Sequence, residues 1–159
     1  MVKSKGISVQ SLSDRQTREL GYRFAKFLKP GDVVVLEGSL GGGKTTFTKG
    51  LLRGLGFGGR VLSPTFTLVR EYKVKKLHIY HLDIYRLSGR DIYSLGVDDF
   101  LYAKNCLTII EWGDKIKDCL DSYIDINFEF VSLSERKLKF SLVDCDKQRV
   151  KRLEKALKL

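Results

Sequence analysis

Residues 38–45 read Gly-Ser-Leu-Gly-Gly-Gly-Lys-Thr, which satisfies the pattern Gly-x-x-x-x-Gly-Lys-Ser/Thr in full. These residue types suit one chemistry, the holding of a nucleotide's polyphosphate. Gly38, Gly41, Gly42 and Gly43 let the backbone curl, so that its N–H groups, with those of Ser39 and Leu40, point inward as an anion nest. A helix opening at Lys44 adds its positive end to that nest. Lys44 supplies a point charge for β- and γ-phosphates, Thr45 a hydroxyl for Mg²⁺, and Thr46 continues the same turn. Such a site also needs an acid, expected at the carboxyl end of a neighbouring strand. Two candidates qualify: Asp83 ends the run Leu77–Leu82, and Glu111 ends the run Leu107–Ile110. Lys44, Asp83 and Glu111 are therefore the candidate catalytic residues.

The flanking elements fit that chemistry. Val33 to Leu36 is a continuous apolar run, the signature of a strand covered on both faces. Lys44 to Leu55 carries Phe47, Leu51, Leu52 and Leu55 at helical spacing, and Gly54 and Gly56 close it. Upstream, Ser13-Asp-Arg-Gln16 fits a capping box opening a helix whose apolar face is Leu20, Phe24, Phe27 and Leu28, stopped by Pro30-Gly31. Leu68–Tyr72 and Leu77–Leu82 read as strands about the turn Lys73–Lys76. Asp98–Tyr102 and Lys115–Leu120 read as short helices. Ile124, Ile126, Phe128 and Phe130 alternate with polar residues, as a half-buried strand does, and Leu138, Phe140 and Leu142 repeat the pattern in an antiparallel hairpin. Val150, Leu153 and Leu157 predict a closing helix. The expectation is one α/β domain over residues 1–159: a three-layer P-loop NTPase domain with a mostly parallel central sheet and a hairpin near the C-terminus. Gly54 to Gly59 also match Gly-x-Gly-x-x-Gly, but this segment closes a helix, whereas a dinucleotide loop must open one.

Composition narrows the classes further. The 159 residues are 43% hydrophobic and 30% charged, ordinary for a soluble globular chain. No apolar run approaches a membrane span, and Met1 to Gln10 have no apolar stretch like a signal peptide's, so the expected location is the cytoplasm. Cys106, Cys119 and Cys145 are odd in number and far apart, and read as reduced packing thiols. The net charge of +10 favours anionic partners, although the basic residues are scattered and read mainly as a solvated surface; the one modest cluster is Arg149, Lys151, Arg152, Lys155 and Lys158. His81 reads as a strand histidine before a catalytic one. Trp112 reads equally as part of the site wall or a partner surface and as core, and Arg86 equally as a phosphate or partner contact or a surface ion pair. His78, His81 and Asp83 do not make a metal site, because 78 faces away from 81 and 83 on a strand.

Five stretches together resemble the TsaE (YjeE) family, the small bacterial ATPases of threonylcarbamoyladenosine tRNA modification. They are Leu36–Phe47, Ser63-Pro-Thr-Phe-Thr67, Tyr80-His-Leu-Asp-Ile-Tyr-Arg86, Leu95–Phe100 and Ile110-Glu-Trp112. The resemblance implies Mg-dependent ATP hydrolysis, slow alone and activated by the partner proteins TsaB and TsaD, with tRNA in the complex. It implies that Thr45 and Glu111 hold Mg²⁺, that Asp83 is the second acid, and that Ser63–Thr67 is a switch-like loop near the γ-phosphate. Ser39 stands where the family usually has Asp, which removes a negative charge beside the loop. Ser13, Thr17 and Arg136 are the candidates for adenine-side contacts. Residue chemistry alone reaches only the binding and hydrolysis of a nucleoside triphosphate, with ATP and GTP undistinguished. It leaves open a P-loop small-molecule kinase, for which no lid insertion is evident, and a non-hydrolysing nucleotide-dependent module binding RNA or protein.

Overall fold

The computed structural model describes residues 2–4 and 6–158. Its strands are β1 (Ile7–Ser11), β2 (Val33–Gly38), β3 (Val69–Val74), β4 (Leu77–Asp83), β5 (Cys106–Glu111), β6 (Tyr123–Phe130) and β7 (Arg136–Val143). Its helices are α1 (Asp14–Phe24), α2 (Lys44–Gly54), α3 (Gly89–Tyr93) and α4 (Lys147–Leu157). The strands form one seven-stranded sheet in the order β1-β7-β6-β2-β5-β4-β3. The centre, β6-β2-β5-β4, is parallel. Antiparallel pairs close both edges: β6–β7–β1 on one side and β3–β4 on the other.

The alternation of β2 explains its apolar run. Val34 and Leu36 join a core with α1, α2 and α4, whereas Val33 and Val35 join a second core with Ile92, Val97, Phe100, Ile116 and Leu120 on the opposite face. Both faces are covered, so every residue from Val33 to Leu36 must be apolar. Phe24, Phe47, Phe128 and Phe140 interlock in the first core, with ring centroids 5.6–6.1 Å apart. α1 and α2 cross almost backbone to backbone there. A Cβ on Gly50 would fall 1.9 Å from the Arg18 carbonyl oxygen, so no larger residue fits that crossing.

Several elements differ from the sequence expectation for identifiable reasons. β6 is not half-exposed: Asp125 is 3% exposed and bonds to Lys3 and Lys117, because a second layer covers what the alternation suggested was a wet face. The helix expected at 98–102 is a 3-10 turn, Val97–Asp99, and Tyr102 beyond it sits at φ +60°, which a helix cannot contain. The helix expected at 115–120 is two 3-10 turns that meet at Ile116. α3 and the edge strand β1 carry no strong periodicity and were not expected. Leu68 lies at φ +64°, outside β3. At α1 the Ser13 hydroxyl accepts from the Gln16 amide, but Gln16 reaches back to the Leu12 N–H, one residue short of a reciprocal capping box. Among the described residues no helix is long and apolar enough to cross a membrane.

Candidate functional site

The loop from Gly38 to Gly43 leaves the carboxyl end of β2 and delivers the chain into α2. Its shape depends on glycine. Gly38 sits at φ +130°, and a Cβ there would lie 2.5 Å from the Phe128 carbonyl oxygen. Gly43, at φ +98°, is the cap of α2 and uses no side-chain hydrogen bond, so the first N–H groups of the helix stay free for an anion. The loop borders a cavity of about 290 Å³.

Lys44, Asp83 and Glu111 converge on this cavity from α2, β4 and β5. Asp83 and Glu111 are register partners at the ends of adjacent parallel strands, which sets the two acids side by side. All three are at most 5% exposed. The Lys44 ammonium donates to the carbonyls of Gly38 (2.7 Å) and Ser39 (3.0 Å) and lies 4.0 Å from the centre of the Trp112 ring. Burial pushes its pKa below the ordinary lysine value, while the nearby Glu111 and Asp83 pull it back up. Asp83 accepts from the Thr65 hydroxyl (2.9 Å) and the Tyr85 N–H (3.0 Å), which ties the 63–67 loop to the acid. Glu111 accepts from His81 Nε2 at 2.8 Å.

The remaining sequence candidates divide clearly. Leu40, Gly41, Gly42, Gly43, Thr45 and Thr46 line the cavity, as does Arg136. The Arg136 guanidinium donates to Gly41 O (3.2 Å), Ser132 O (2.6 Å) and Glu135 O (2.8 Å), bracing the loop from β7. The Ser39 side chain is exposed, and its carbonyl serves Lys44. Ser13 and Thr17 are not among the lining residues: the Ser13 hydroxyl caps α1, and the Thr17 hydroxyl bonds Ser11 (2.8 Å) beneath the loop. Arg86 is exposed and stands over Phe66, with 5.2 Å to the ring centroid. His78 turns to Glu71 at the sheet edge.

Trp112 is a wall of the cavity rather than core. It holds φ +62°, a sparsely populated conformation for a bulky residue, fixed by its N–H bond to Leu36 O and by contact with Tyr85. Sequence reasoning missed Asp14 and Leu133 as lining residues. Asp14 looked like an ordinary first-turn acid and Leu133 like a hairpin-loop residue, and no spacing signal links either to the loop.

Residues 11–138 match the family model described as "Threonylcarbamoyl adenosine biosynthesis protein TsaE". The chain is 36% identical over 140 residues to the tRNA threonylcarbamoyladenosine biosynthesis protein TsaE of Bacillus subtilis (strain 168), covering 87% of each chain. It is 38% identical over 127 residues to the protein of the same name from Rickettsia prowazekii (strain Madrid E), covering 78% of this chain and 87% of that one. The crystal structure of Bacillus subtilis YdiB superposes with a TM-score of 0.78 at 33% identity, covering 96% of this chain and 94% of that one.

Proposed function

This chain belongs to the TsaE family, and on that premise we propose that it is an Mg-dependent ATPase of tRNA threonylcarbamoyladenosine biosynthesis, slow alone and activated by TsaB and TsaD. Residues 1–159 act as one P-loop ATPase domain, working in the cytoplasm where tRNA is the substrate of the complex. The carrying observation is the convergence of Lys44, Thr45, Asp83 and Glu111 on one cavity behind a glycine loop at a helix start.

The donor set fits Mg²⁺. Thr45, Asp83 and Glu111 offer hard oxygens on one cavity, and Mg²⁺ is usually held by one or two protein carboxylates together with phosphates and water. Thr45 and Glu111 would hold the ion, which when bound neutralises charge on the β- and γ-phosphates. The chain's own residues supply the rest. Lys44 offers a partly desolvated positive charge to the phosphates, and the α2 N-terminus and loop amides add fixed dipoles. Asp83 lines the cavity wall, from which its carboxylate would orient an attacking water, and it holds Thr65 of the neighbouring loop.

A slow intrinsic rate follows from the arginines. Besides Lys44, Arg136 is the one cation among the described lining residues, and carbonyl oxygens already engage its guanidinium. Arg86 is stacked on Phe66 outside the cavity. A missing arginine finger costs ~10³–10⁵ in rate in related P-loop enzymes. A partner can supply that charge or reorder residues 63–67.

The test is steady-state phosphate release by the chain, with and without purified TsaB and TsaD. Slow release accelerated by the pair is expected. Full-speed release without a partner response overturns partner activation. Phosphate transfer to an added small acceptor would identify a kinase, and binding without release would identify a binding module.

A further inference from the structure

His81 is fully buried on β4, and its Nε2 lies 2.8 Å from Glu111 Oε1. We propose that His81 is the positioning residue that orients the Glu111 carboxylate toward the cavity. This inference rests on the reading of Glu111 as a magnesium-site acid.

The register makes the pair unavoidable. His81 lies opposite Ile109 across the parallel β4–β5 ladder, and Asp83 lies opposite Glu111. Side chains two apart share a face, so residues 81, 83, 109 and 111 all point to the α2 side of the sheet. His81 therefore sits diagonally behind Glu111, one step nearer the strand's start, and buttresses it from the core side. A carboxylate offers only lone pairs, so Nε2 carries the proton and donates. One carboxylate oxygen is thereby pinned, while among the described residues the other accepts no hydrogen bond and Glu111 lines the cavity.

Packing alone gives no reason for a histidine here. Among the described residues its Nδ1 is buried without a partner. A leucine would fill similar space without desolvating a nitrogen, so among the described residues the bond to Glu111 is the one polar contact that offsets burying this ring. Glu111 itself is 3% exposed, with three side-chain torsions to fix. Without a donor behind it, the carboxylate can rotate off the position that a metal requires. Hydrogen-bond partners that orient metal-site carboxylates act in this way, and their loss typically costs 10–100-fold in metal affinity or activity.

The test measures binding of ATP by calorimetry, in Mg²⁺ and in excess chelator, for wild type, His81→Leu, His81→Asn and His81→Gln, with thermal melts to verify folding. The glutamine amide reaches the position of Nε2, whereas the asparagine amide stops short of it. Metal-free ATP affinity is expected to stay within a few-fold in all variants. The affinity gained on adding Mg²⁺ is expected to fall about 10–100-fold in His81→Leu and His81→Asn and to return in His81→Gln. A wild-type Mg²⁺ gain in a folded His81→Asn or His81→Leu overturns the proposal. So does an equal loss in His81→Gln and His81→Asn, or a parallel loss of metal-free binding, which would mark a merely structural role. A wild type that binds ATP with no Mg²⁺ gain overturns the magnesium reading itself, and is distinguished from these outcomes because it appears before any substitution.

Discussion

The two ends of β2 carry buried charge in opposite ways. Before its first residue, Asp32 is 7% exposed and accepts from the two terminal guanidinium nitrogens of Arg149 (2.9 and 2.7 Å) and from the Lys29 N–H (2.9 Å). At its far end, Lys44, Asp83 and Glu111 are equally buried, yet Glu111 accepts one hydrogen bond and Asp83 two. Cavities of about 290 and 300 Å³ border the two ends, so volume does not separate them. Saturation does. The Asp32 carboxylate is filled by a forked pair with the two terminal nitrogens of Arg149, which fastens α4 to the start of β2, while Arg149 Nε is left without a partner among the described residues. The acids at the other end retain lone pairs toward open volume, and the free amides of the α2 start face the same space. Burial of charge thus marks both an architectural clasp and a candidate site, and the unused lone pairs of the carboxylates tell them apart.

The strongest challenge to this contrast is Arg149→Leu. Removing one partner strands Asp32 in a buried position, and such losses cost about 3–5 kcal/mol of stability. Chemical denaturation should show that loss, while ATP affinity of the folded fraction stays unchanged. Loss of ATP affinity without loss of stability would place function at the wrong end of β2.

Lys44→Ala should do the converse. It should cut ATP binding or turnover on the order of 10²–10³ by removing the charge that faces the phosphates. The melting temperature should change little, because among the described residues the ammonium forms no direct ion pair: it donates to loop carbonyls and packs on the Trp112 ring, and Glu111 and Asp83 act on it only at longer range. A variant that binds and hydrolyses ATP like wild type sinks the phosphate-loop assignment.

The two acids sharpen the picture inside the site. Glu111→Ala should weaken magnesium dependence by at least the loss typical of removing a hydrogen-bond partner behind a metal ligand, about 10–100-fold. Asp83→Asn should damage hydrolysis more than binding. A magnesium titration of both variants assigns the roles; an unchanged Glu111 variant would transfer the metal to Asp83.

Ser13→Ala carries the smallest effect. It should cost about 1 kcal/mol of stability through loss of the α1 cap. Nucleotide affinity should not move, because the hydroxyl is engaged by the Gln16 amide. A fall in ATP affinity at constant stability would restore Ser13 as a nucleotide contact.

Much of this molecule is legible locally. The glycine loop, the apolar β2 run and the helical spacing of α2 lie within residues 33–55, where backbone and side-chain periodicity act over a few neighbours. The β6–β7 hairpin follows for the same reason, since its partners adjoin in sequence. The mixed α/β class with a parallel centre follows from those elements in order.

Other features depend on residues that meet only after folding. β1 is a weak strand until β7 pairs with it, 125 or more residues away along the chain. Asp125 looked solvent-facing because Lys117 and Lys3 are invisible to a strand's own alternation. The His81–Glu111 bond links positions 30 residues apart through the β4–β5 register, and no single-strand pattern reports that register. The same applies to Trp112, whose place beside Lys44 depends on a left-handed backbone turn at the end of β5. Local periodicity reports the torsions and faces of one element at a time. Pairing of charges, closure of a cavity wall and orientation of an acid are properties of contacts between elements, and those arise only when the chain has packed.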